Sequence, residues 1–152
     1  MKPICIFITL LFNSFYSTTP LFSQNIFDKQ HSLDFAKYLI NTQQYDYASI
    51  ELERICFLEK NDTLNYFLIK TYRLSKKYEI GEKRTIQIYL NRALMPALPA
   101  KEYGLILLKQ MKTDSLRLFL QENHYLDVAY KTQIELTSYI FEMKWEKSSQ
   151  YI

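Results

Sequence analysis

Two histidines, one cysteine in an apolar run and a scatter of carboxylates are the residues that chemistry would recruit in this chain. His31 and His124 lie far apart, and neither belongs to an H-E-x-x-H or C-x-x-C ligand set. Cys56 stands between Ile55 and Phe57, where a thiol reads as a small core residue. No G-x-S-x-G elbow is present, and two glycines are too few for a phosphate-cradling loop. Glu51 and Glu53 fall on different faces of a helix, so they do not form an acid/base pair and are expected to be solvated. The expectation is a protein with no catalytic residue, no metal ligand, no cofactor and no small-molecule substrate: not an enzyme.

The elements that position side chains in this chain are helices. Only Gly81 and Gly104 supply glycine, and the four prolines sit near the N-terminus or in one short segment, too few turn residues for a β-rich fold. At 152 residues, 48% hydrophobic and 23% charged, the composition is that of one globular domain. A net charge of +3 leaves no concentrated basic face, which argues against nucleic acid. "MKPICIFITLLF" offers one cation and then an apolar run from Ile4 to Phe12, followed by a polar exit. That is the pattern of a signal peptide over residues 1–23, with the domain proper at 24–152 and export to the periplasm or cell envelope. The alternative is an uncleaved N-terminal anchor, so membrane association stays open. Cys5 lies too early, with no small residues before it, to be a lipoprotein site. Cleavage would leave Cys56 without an internal disulfide partner.

Apolar spacing predicts helices at 28–41, 44–59, 63–75, 78–93, 100–111, 114–122 and about 125–147, with Pro96 and Pro99 breaking the chain. Asp62–Thr63 and Asp114–Ser115 fall at predicted helix starts, where their oxygens would cap free N–H groups. The pattern recurs. After Tyr45 come Ala48, Leu52 and Ile55, and before it Phe35, Ala36 and Leu39. After Tyr78 come Gly81, Thr85 and Ile88 at the same offsets, and before it Leu68, Ile69 and Tyr72. A fainter third copy on Thr113 has Leu116 and Leu120 after, and Tyr103, Gly104 and Leu107 before. Small residues such as Ala36 and Ala48 let paired helices approach; Ile69 in a small position is expected to push the second pair apart. The last helix, with Tyr130, Ile134, Thr137 and Phe141 on one side and Lys131, Glu135, Glu142 and Lys144 on another, reads as a cap with a polar outer side. Trp145 is expected to pack over the preceding pair.

A period near 34 residues with two helices per unit is similar to the tetratricopeptide repeat. "FAKYLINTQQYDYASIELERICFLE" resembles the opening repeat of exported proteins of this kind from the Bacteroidota. The likeness spans residues 28–123 and fades along it; the family's helix-ending proline is absent after the first two copies. It implies an all-α fold: stacked antiparallel helix pairs, a tetratricopeptide-like α-solenoid of about three repeats, with a C-terminal capping helix. It further implies a concave face lined by the first helix of each pair. Here that face would carry Leu33, Lys37 and Ile40, then Tyr66, Lys70 and Arg73, then Lys101, Leu105 and Leu108. Lys37, Tyr66, Lys70, Arg73 and Lys101 would form a basic, part-apolar groove for a protein or peptide partner with acidic side chains. Scattered solvated lysines explain the same residues, and the asparagines of the family's carboxylate clamp cannot be placed. Asp62–Leu64 and Asp114–Leu116 resemble an O-glycan acceptor of exported Bacteroidota proteins, with Thr63 and Ser115 carrying the sugar; helix capping alone explains the same residues and is the favoured reading. Asn61–Asp62–Thr63 also fits the N-glycan sequon of a eukaryotic secretory pathway. The expected function is an exported, non-catalytic binding module, and the alternative is a structural or self-associating part of an envelope assembly.

Overall fold

The computed structural model describes residues 28–90, 92 and 94–149, with side chains as far as residue 143. The expected leader at 1–23, Cys5 within it and the Trp145 side chain lie outside the described residues. Within them the chain forms seven helices and no strand: α1 Lys29–Asn41, α2 Tyr45–Leu58, α3 Asp62–Leu74, α4 Tyr78–Tyr89, α5 Ala97–Lys109, α6 Thr113–Glu122 and α7 Val128–Ser149. The predicted bounds hold closely for α1, α2, α3 and α6. The larger exceptions, at the end of α4 and the start of α5, flank the prolines, and α7 starts at Val128 where about 125 was expected. Pro96 precedes α5 as its N-cap, but Pro99 lies inside the first turn and is buried, contrary to its expected role as a breaker. A first-turn residue has no helical acceptor for its N–H, so proline loses nothing there.

Three hairpins follow one another, and all three turn in the same way. Gln43, Lys76 and Met111 adopt left-handed backbone, with φ of 61°, 60° and 55°. In each turn the N–H after that residue reaches back to the first helix: Gln44 to Leu39, Lys77 to Tyr72 and Lys112 to Leu107, at 2.8, 3.0 and 3.1 Å. The left-handed residue itself donates to Ile40, Arg73 or Leu108. These paired bonds are a Schellman ending, which satisfies the last carbonyls of one helix as the next begins. Gln44, Lys77 and Lys112 then serve as N-caps of the second helices without a side-chain cap.

The pairs stack. α5 packs on both α3 and α4, and α7 on both α5 and α6. Adjacent residues of one helix face different neighbours. Leu68 joins Ala36, Leu52 and Ile55 in the first cluster, while Ile69 joins Tyr89 and Ile106 in the second. Leu107, beside Ile106, belongs to the third cluster with Leu116, Phe119 and Ile134. The recurring positions Ala48 and Leu52, Gly81 and Thr85, and Leu116 and Leu120 are all buried. Thr85 is tolerated there because its hydroxyl donates to the Gly81 carbonyl at 2.7 Å. Between pairs, Lys77 bridges to Asp46 and Lys112 to Glu82, so the residue closing each later turn is tied to the pair before.

Several expectations are corrected. Ile69 does not hold the second pair apart, since a Cβ added at Gly81 would stand 2.9 Å from Tyr72 Cβ on α3 and from Ile106 Cδ1 on α5. Asn61, not Asp62 or Thr63, caps α3, accepting from the Thr63 N–H at 2.8 Å. Asp62 instead accepts from Arg92 at 2.5 Å, and Asp114 pairs with Arg117. α7 closes the stack, but its outward side is not polar: Leu136, Tyr139, Ile140 and Met143 are exposed there at helical spacing. α7 therefore has two apolar sides, as a helix awaiting another layer would.

Candidate functional site

The first helices α3, α5 and α7 lie side by side and enclose an open trough of about 510 Å³. Its walls include Tyr66 from α3, Lys101, Leu105 and Lys109 from α5, and Tyr130 and Phe141 from α7. Of the expected groove residues, Tyr66, Lys101, Leu105 and Leu108 line it. Lys70 adjoins it, its Nζ 3.4 Å from the Tyr66 hydroxyl and 5.5 Å from the ring centre. Lys37 stands farther along, over Phe67 at 5.6 Å and 3.4 Å from Asp34. Leu33 and Ile40 pack against the first core cluster instead.

Charge within the trough is mostly spent internally. Arg73 Nε meets Glu102 Oε2 at 2.5 Å, and both side chains are largely buried, so Arg73 joins α3 to α5 and is no open cation. Lys101 pairs with Asp127 and covers the Tyr130 ring at 5.4 Å. The Lys101 hydrogen bond holds the Asp127 carboxyl below its usual range. Burial pushes the Tyr130 phenol up, and that phenol donates to the Lys101 carbonyl at 2.6 Å. At the trough and its edge two cations have no ion pair with a described carboxylate: Lys70, and Lys109 on α5, whose Nζ lies 5.9 Å from the Phe141 ring centre. Each is held over an aromatic ring, which favours the cation electrostatically.

The other candidates lie elsewhere. Thr63 and Ser115 are exposed in the first turns of α3 and α6. Glu51 and Glu53 are not loosely solvated: Glu51 accepts from Arg54 at 2.6 Å, and Glu53 takes the Tyr72 hydroxyl at 2.7 Å and both ends of the Arg84 fork. Cys56 is buried, and desolvation, with Glu53 nearby, raises its thiol to about 11. His31 and His124 are exposed, and no group of three or more His, Cys, Asp or Glu gathers as a metal site among the described residues. No described helix is long and apolar enough to cross a membrane.

Sequence reasoning missed Lys109 and the whole α7 wall. The stripe Tyr130, Ile134, Thr137, Phe141 was visible, but it reads as packing if α7 is only a cap. The useful signal is the repeat interval: Ser138, small and buried, follows Gly104 by the period that separates earlier copies. α7 thus occupies the place of a fourth first helix. No family model matches the chain, and no curated protein or solved structure matches it either.

Proposed function

We propose that this chain is an exported, non-catalytic helical-repeat module that binds a protein or peptide carrying acidic and apolar side chains. The reading rests chiefly on the trough across α3, α5 and α7, where Lys70 and Lys109 stand over aromatic rings without carboxylate partners. Apolar walls between the two cations suit an extended or helical segment, with its acidic groups meeting the lysines and its apolar groups on Leu105 and Phe141. The sequence's likeness to tetratricopeptide repeats in period and helix pairing supports the same use of the first-helix face. Export rests on the leader-like N-terminus alone.

Selection from a displayed random-peptide library tests the proposal. Sequences rich in Asp or Glu and large apolar residues are expected from the native protein. Lys70→Glu with Lys109→Glu should stop their selection while the melting temperature stays put, because neither lysine forms an ion pair. Enrichment of basic sequences, or unchanged selection by the double variant, would contradict it. The exposed stripe Leu136, Tyr139, Ile140, Met143 favours a second reading, a self-associating structural module. That reading requires sedimentation to show a concentration-dependent larger species that Ile140→Glu abolishes.

A further inference from the structure

A second cavity, about 330 Å³, lies where the end of α2, the link to α3 and the C-terminal half of α4 meet. It shares no described lining residue with the trough. Three cations border it, Lys60, Arg84 and Arg92, and no described carboxylate does. The carboxylates bonded to the two arginines stand outside the lining. Glu53 takes Arg84 Nε at 3.0 Å and Nη2 at 2.7 Å, and Asp62 takes Arg92 Nη1 at 2.5 Å. Those carboxylates are themselves held, Glu53 by the Tyr72 hydroxyl at 2.7 Å and Asp62 by the Tyr89 hydroxyl at 3.3 Å. Arg92 also lies 5.2 Å from the Tyr89 ring centre. A guanidinium has five N–H donors, and one carboxylate engages only part of them. Arg84 Nη1 and Arg92 Nε keep their hydrogens without an acceptor among the described residues, and Lys60 forms no ion pair with any of them. Three cations against two carboxylates leave one positive charge around the space. Helix-to-helix ties account for each arginine, but not for the room beside them, nor for Lys60 in the same lining. Asn65, only 4% exposed, and Gln87 add amides, and Ile88 and Cys56 supply an apolar side. The volume sits at the lower end of ligand pockets.

We propose that this cavity binds a small tetrahedral oxyanion, a phosphate or sulfate group, free or carried on a small ester. Its oxygens accept from Lys60, Arg84 and Arg92, whose charge and forked donors suit such oxygens. The carbon part of an ester lies on Ile88 and Cys56. A cationic ligand is disfavoured, because no described carboxylate faces the space. The proposal does not rest on the peptide groove, since neither Lys70 nor Lys109 belongs to this lining.

The test titrates the full chain with inorganic phosphate, phenyl phosphate and acetate, each against sodium chloride of equal ionic strength, followed by amide NMR and thermal melting. Phosphate should bind saturably at up to low-millimolar concentration and raise the melting temperature above the chloride control. Acetate, with a single charge and two oxygens, should bind roughly tenfold more weakly, the worth of one charge-assisted hydrogen bond. Phenyl phosphate binding more tightly than the free ion assigns the site to an ester, and equal binding assigns it to the free ion. Amide shifts should gather at Lys60, Asn65, Arg84, Gln87 and Ile88. Lys60→Glu with Gln87→Glu should weaken phosphate by about tenfold or more. Its melting temperature in chloride should stay put, because both side chains are exposed and neither is ion-paired among the described residues. Lys70→Glu with Lys109→Glu should bind phosphate as the native protein does, so failure of the groove leaves this site standing. An effect no larger than that of chloride, shifts spread over lysines elsewhere, or undiminished phosphate binding by the Lys60→Glu, Gln87→Glu protein overturns the proposal.

Discussion

At the scale of single residues, polar side chains here are committed to holding helices together. Arg73 and Glu102 show it most plainly. Arg73→Met would leave a largely buried carboxylate without its partner, and should destabilise by about 2–3 kcal/mol. The double change with Glu102→Leu should recover most of that, as a denaturant series would show. Cys56, buried and with its thiol raised to about 11, should resist alkylation at neutral pH and react only on unfolding. Mass spectrometry of iodoacetamide-treated native and unfolded protein checks this. Acid behaviour follows from the carboxyls held low by hydrogen bonds: Glu51 by Arg54, Asp34 by Gln30, Glu59 by Lys29 and Asp127 by Lys101. Each has a folded pKa below its unfolded one, so its stabilisation is present above about pH 4.5 and is lost as pH falls. Melting temperature should therefore be flat from about pH 5 to 8 and decline below that range. Glu51 with Arg54 and Gln30 with Asp34 are neighbours on one helix, but Arg73 with Glu102, or Glu53 with Arg84, were not readable in the sequence, because they meet only after the pairs stack.

At the scale of elements, four of the seven helices were readable almost to the residue and the other three to within about four, because apolar spacing and polar breaks coincide. The turns were not. Glycine usually marks the left-handed end of a helix, and here Gln43, Lys76 and Met111 take that conformation instead. An L-residue there costs about 1–2 kcal/mol, so glycine at any of the three should stabilise, by about 0.5–1 kcal/mol after its own entropy cost. The three sites are far apart and the gains should add in a thermal series. Caps were misassigned for a related reason: one residue of error moves the role from Asp62 to Asn61. Ala48, the small residue of the first pair's second helix, is fully buried. Ala48→Leu should overpack that pair and cost about 1–3 kcal/mol, measurable by thermal melting.

At the scale of the whole molecule, three hairpins with one turn geometry form a one-dimensional stack, each core cluster handing over to the next through adjacent residues of a shared helix. The trough lies where α3, α5 and α7 of that stack run side by side. The sequence located the α3 and α5 walls through Tyr66, Lys101, Leu105 and Leu108, because repeat equivalence carries from one pair to the next. It missed the α7 wall because α7 reads there as a cap and not as a fourth first helix. The apolar outward side of α7 has the same origin, since a first helix expects neighbours on both sides.

The most direct test of the binding account is an amide NMR map of the native protein titrated with the acidic, apolar peptides it selects. The account predicts shifts concentrated at Tyr66, Lys70, Leu105, Lys109, Tyr130 and Phe141, on the first-helix side. Shifts concentrated instead on the outward faces of α2 and α4 would contradict it.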